Sequence, residues 1–186
     1  MSLIIKGDIT RLKAGYPTVS DKYDVKGGIL EGANNLAFGQ LVKFGDATGY
    51  YKAVDGTQTI SAATDIAGFR LAVNVKLINT YPGQGQALTY PGEAFDLCFK
   101  GALAVQIEFA YTNDSEGSTT NRDAAFALLK ENGKVYATSA GVLTPVSTSN
   151  YDINAVFSGV FTNTTETVGA ETTTIKCLAE IFYNFK

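Results

Sequence analysis

The chain of 186 residues has no histidine and no tryptophan, one methionine, two cysteines and four prolines. Histidine is the side chain that titrates nearest neutrality, the usual base beside a Ser or Cys nucleophile, and the commonest transition-metal ligand. Its absence excludes Ser-His-Asp and Cys-His catalysis, HExxH zinc sites and His-rich metal centres within one chain. Charge is also scarce. Asp, Glu, Lys and Arg make up 18% of the residues, and 15 Lys and Arg stand against 18 Asp and Glu, a net charge of −3. A duplex-binding groove or a basic membrane-surface patch draws on clustered Lys and Arg. Direct contact with nucleic acid and with a membrane is therefore not expected. No stretch approaches the roughly 18 apolar residues of a membrane span. Met1-Ser2-Leu3-Ile4-Ile5-Lys6 lacks the apolar core of about 7–15 residues that defines a secretory signal.

What is present is 45% hydrophobic residues, 19 Gly, ten Tyr and eleven Phe. That is too apolar for a disordered polymer and, at about 100–200 residues per domain, suits one domain. Cys98 and Cys177 stand far apart in apolar runs and read as reduced core residues; a disulfide would require their strands to be neighbours.

Periodicity favours strands. Leu36, Phe38, Gln40, Val42 and Phe44 alternate with Ala37, Gly39, Leu41 and Lys43, as in a half-buried strand. Similar runs fall at 50–54, 66–79, 94–100, 102–109, 126–130, 135–138, 155–162 and 175–185. Turn clusters separate them at 54–57, 81–85, 90–93 and 131–134. Pro91-Gly92 suits the centre of a type II turn. Asn132-Gly133, between residues 126–130 and 135–137, reads as a type I′ hairpin. A helix over 124–130, capped from Asn121-Arg122-Asp123, is the competing and less favoured reading. Residues 111–121 and the Thr-rich 163–174 read as polar loops, the latter running into the last strand. The expected fold is all-β: a compact β-barrel or β-sandwich of short antiparallel strands with Gly-rich turns. Residues 1–12 form an extended N-terminal arm or edge strand, and 13–186 a single barrel-like domain.

Candidate chemistry is sparse. Asn113-Asp114-Ser115 and Asn163-Thr164-Thr165 match the glycosylation pattern, but with no secretory signal expected they read as loop composition. Gly83-Gln84-Gly85 lacks the third glycine and the strand-to-helix setting of a phosphate cradle. Asp114 and Glu116 could contribute to a Ca²⁺ site, though without EF-hand spacing. Asp21 with Asp24, and Asp152 with Asn154, read as turn and strand-end residues. Glu31, Glu93, Glu108 and Glu180 supply carboxylates for a glycosidase pair, which only their separation in the fold could qualify. On these residues alone the chain reads as a weakly acidic binding or assembly domain, not an enzyme, with no cofactor and no metal.

The order of motifs goes further. Arg11-Leu12-Lys13-Ala14-Gly15-Tyr16-Pro17 comes first, then Gly32-Ala33-Asn34-Asn35-Leu36-Ala37-Phe38-Gly39-Gln40-Leu41-Val42. Ile66-Ala67-Gly68-Phe69-Arg70-Leu71-Ala72 follows, then Tyr90-Pro91-Gly92-Glu93-Ala94-Phe95-Asp96-Leu97 running into Lys100-Gly101-Ala102-Leu103-Ala104-Val105. With Gly133-Lys134-Val135-Tyr136-Ala137 and Gly141-Val142-Leu143-Thr144, this succession resembles the capsid decoration, or cement, proteins of tailed bacteriophages over most of residues 11–185. The resemblance implies a β-barrel-like domain, commonly trimeric, made in the host bacterial cytoplasm. It would sit on the outer surface of an expanded head and bridge major capsid protein subunits. Leu3, Ile4 and Ile5 of the arm are the candidate capsid or subunit contacts; an edge strand of the barrel is the alternative. Another virion part, a tail tube or head fibre, has the same strand pattern. A carbohydrate-binding or adhesion module and a small β-fold hydrolase remain the readings from other classes.

Overall fold

The computed structural model describes residues 14–16, 18, 24–72 and 88–184. The arm, most of the expected strand end at 73–79 and the turn at 81–85 lie outside these residues. The fold is all-β. The strands are β1 (Asp24–Glu31), β2 (Leu36–Ala37), β3 (Leu41–Phe44), β4 (Tyr50–Ala53), β5 (Ile66–Arg70), β6 (Leu88–Thr89), β7 (Ala94–Thr112), β8 (Lys134–Ala137), β9 (Leu143–Thr144), β10 (Tyr151–Val168) and β11 (Thr172–Asn184). One α-helix, α1 (Thr120–Ala127), interrupts them.

Nine strands form one sheet in the order β1-β4-β3-β5-β7-β11-β10-β8-β9, while β2 and β6 pair separately. The sheet is mixed, because β1–β4 and β7–β9 are parallel. Two further pairings, β1 with β7 and β9 with β7, close the ladder on itself twice. The first ring is β1-β4-β3-β5-β7 and the second is β7-β11-β10-β8-β9. Closure removes edges that would otherwise template pairing with other chains.

The long β7 belongs to both rings. Phe95 and Leu97 enter the smaller apolar cluster, with Leu30, Val42, Tyr51 and Ala67. Cys98, Leu103, Val105, Ile107 and Phe109 enter the larger one. Sequence periodicity divides β7 at Gly101, where the mid-strand glycine looks like a break. The strand instead runs through, and Gly101 lies where β7 passes from one ring to the other. Strand β5 is buried along its whole length, and β3 and β5 supply both clusters. Leu41 and Phe69 face the larger, Val42 and Ala67 the smaller. The rings therefore share a packed wall.

Four local expectations change. Residues 36–44 are not one strand: Gly39 takes φ +71°, and the Gln40 side chain accepts from Ala37 N at 2.8 Å and donates to the Val54 carbonyl at 2.9 Å, splitting β2 from β3. Residues 163–174 are not a loop, since β10 and β11 stay paired out to Val168 and Thr173. Thr is at home in a strand, so polarity there marks exposure. The strands are also not all short: β7, β10 and β11 have 19, 18 and 13 residues. Finally, residues 126–137 are not a hairpin. Asn132 does take φ +62°, but its N–H donates to Phe157 O at 2.9 Å and Phe157 N donates to Gly133 O at 2.8 Å. These groups therefore pair with β10, and the preceding residues form α1. The turn at 90–93 forms as expected, with Gly92 at φ +84° and Glu93 N donating to Tyr90 O at 3.0 Å.

Candidate functional site

Leu3, Ile4, Ile5 and Asp21 lie outside the described residues. The other candidates are held by local contacts, beginning with the carboxylates. Glu31 accepts Asp46 N at 2.9 Å, Glu93 accepts Tyr90 N at 2.9 Å, and Glu108 pairs with Lys176 at 3.0 Å. Glu180 lies in register with Ala104, two residue pairs along the β7–β11 ladder from the Gln106–Leu178 pair that adjoins Glu108. These four are spread over different strands and turns.

Asp114 does not collect a cation. Its two oxygens accept Asn121 N at 2.7 Å and Arg122 N at 3.0 Å, two of the N–H groups left unpaired at the start of α1. It thus caps the helix from a loop residue seven positions upstream, which the expected cap at 121–123 does not anticipate. Asp152 accepts Asn154 N at 3.0 Å and Lys134 Nζ at 2.6 Å, as a strand-end residue would. Among the described residues, no group of three or more His, Cys, Asp or Glu gathers where a metal ion could sit. None of their helices is long and apolar enough to cross a membrane.

The electrostatics follow the same local pattern. The Lys52 ammonium beside Asp46, the Lys134 ammonium beside Asp152 and the Arg122 guanidinium beside Glu166 hold these carboxyls below the usual range. Backbone N–H groups of Ser61 and Ala62 do the same for Asp65. Burial works to raise Asp55, but donors from Gln58, Thr57 and Asn34 outweigh it. Asp96 is raised by burial. A carboxylate held low stays ionised at neutral pH and makes a poor proton donor there.

Two clusters escape sequence reading. The first fastens α1 to the β10–β11 hairpin. Arg122 donates to Glu166 from Nη2 at 2.7 Å and from Nε at 3.2 Å, Tyr111 OH donates to the same carboxylate at 3.2 Å, and the guanidinium lies 4.9 Å from the Phe126 ring centre. Phe126 in turn stacks on Phe161 at 5.8 Å and meets Phe109 edge-on at 6.1 Å. Arg122 and Glu166 are 44 positions apart, so no local pattern signals the pair.

The second surrounds Arg70, which is 2% exposed. Its guanidinium donates to the Leu36 carbonyl and lies 4.1 Å from the Phe38 ring centre. Burial pushes its pKa down to about 10, against the raising effect of Glu93. Arg70 N and O bond Gln40 and Gly39, while Gly15 bonds Ala104 and Ala72. Motifs far apart in the chain, at 15–16, 36–40, 66–72 and 102–104, thus meet beside β7. The free cysteines are both buried, and burial raises both thiols, Cys177 to about 11.

The exposed apolar side chains are the remaining candidates for contact with a partner. Phe44, Tyr50 and Tyr90 stand on the first ring; Leu128, Phe161, Val168 and Phe182 stand on α1 and the second ring. No protein-family model matches the chain, and no curated protein matches it.

Proposed function

We propose that the chain is a virion structural protein, a capsid decoration protein that binds the outer surface of an expanded tailed-phage head and stabilises the major capsid lattice as a homotrimer. The observation that carries this reading is the ordered succession of motifs resembling that family. Its support in the fold is that those motifs converge on β7, around Gly15, Phe38, Arg70 and Ala104. A shared packing unit is a physical reason for such residues to recur in one order. The function is thermodynamic. A protein that binds the assembled lattice and not its dissociated form stabilises it by mass action, and many modest contacts repeated over a shell add through avidity. Interfaces of roughly 1,200–2,000 Å² suffice. Leu3, Ile4 and Ile5 of the N-terminal arm are the proposed contacts.

The test is sedimentation of the purified protein with heads that lack it, before and after expansion, with its own oligomeric state measured in parallel. Co-sedimentation with expanded heads and a trimeric mass are expected. A protein that stays in the supernatant with every head form refutes the proposal.

A further inference from the structure

A groove opens where the described chain begins, lined by Ala14, Phe38, Gln106, Glu108, Val142 and Leu143 among others. The backbone enters beside it as a strand. Thr18 N bonds Ala102 O, Ala104 N bonds Tyr16 O, and Gly15 N bonds Ala104 O, so two steps back along the chain advance two steps along β7. The same progression sets residue 14 opposite 106 and residue 12 opposite 108. There the ladder is closed to it, because β9 occupies that edge through the Ile107–Leu143 pairing. A chain continuing in this direction must lift off β7 and pass over Val142 and Leu143, which is the path of the groove.

The groove also has the right chemistry. Val142 is 39% exposed on its wall, while the Glu108 carboxylate, with Lys176 on one side at 3.0 Å, gives it an anionic end. Residues 1–13 carry Lys6, Arg11 and Lys13 against Asp8, and one large apolar residue, Leu12, lies between two of these cations. We propose that this groove is the docking site for residues 11–13 of the same chain, with Leu12 against Val142 and an Arg11 or Lys13 cation on Glu108. Residues 1–10 then start from a fixed root and, at about 3.3–3.6 Å per residue fully extended, reach up to roughly 35 Å from it. The docking stands whether or not the protein decorates a capsid.

The test is a double variant of the full chain, Leu12→Cys with Val142→Cys, oxidised mildly and mapped by mass spectrometry. A disulfide forms only when Cα atoms come within about 7 Å. The expected result is a 12–142 disulfide within one chain. Both thiols remaining open to alkylation, or a disulfide joining two chains, overturns the proposal. Should that variant fail to fold, trypsin serves instead. Cleavage after Arg11 and Lys13 is expected to run at least tenfold faster in Val142→Asp than in the parent chain, and equal rates overturn the proposal.

Discussion

Because β3, β5 and β7 bury side chains in both clusters, the two rings should unfold as one unit, and Leu97→Ala tests this. Leu97 is fully buried in the smaller cluster beside Phe95, Val42 and Leu30. Truncation removes three carbons, about 2.4 kcal/mol at roughly 0.8 kcal/mol per buried methylene. A cavity that relaxes only in part raises this to about 3–4 kcal/mol, within the range of about 2–5 kcal/mol for such substitutions. With a urea slope of about 2 kcal/mol/M, the midpoint falls by about 1.5–2 M. The shift should be the same by far-UV circular dichroism, which reports all strands, and by hydrogen exchange of peptides from β3 and from β11. Loss of the first ring would strip cover from Leu41 and Phe69, which belong to the larger cluster. Two transitions, with β11 protection unmoved while β3 exchanges early, would refute the shared wall.

Further outcomes follow from single contacts. Gly68 has φ +153°, and a Cβ there would press on the Cys98 carbonyl. Gly68→Ala should therefore cost at least about 2 kcal/mol, lowering Tm by roughly 4–8 °C; an unchanged Tm refutes that contact. Asp114→Ala removes the acceptor for two N–H groups of α1 and should cost about 1 kcal/mol, with faster hydrogen exchange confined to residues 120–127. Exchange that stays slow there would show that the cap is dispensable. The carboxyls of Asp46, Asp55, Asp65, Asp152 and Glu166 are lowered on folding. The unfolded chain therefore binds more protons as pH falls. Their contribution is fully present well above the unfolded carboxyl values of about 4 and is lost as pH falls through the folded ones. Glu166→Gln should flatten the fall of stability between about pH 5 and pH 3, and an identical slope would exclude a role for the Arg122–Glu166 pair.

Much of the fold was legible without coordinates. Alternation located β3, β4, β8 and the cores of β7, β10 and β11. Pro91-Gly92 identified its turn, because one residue's freedom at positive φ decides that geometry. What escaped were features decided by distant partners. Asn132-Gly133 has hairpin chemistry, yet Phe157 takes its backbone groups. The Thr-rich residues 163–174 look like a loop until β11 pairs with them.

For the candidate site, the sequence alone settled composition. Without His it holds no imidazole base, and with few charges it carries no dense basic patch. It also determined strand content, since period-two alternation is written locally in the side chains. Only the tertiary structure decided that the ladder closes twice around β7, that Arg70 is buried on Phe38, and that Asp114 caps a helix instead of collecting a cation. Each of these depends on which residues meet across tens of positions. Burial and hydrogen-bond pairing belong to the assembled fold, and no local pattern in the chain specifies them.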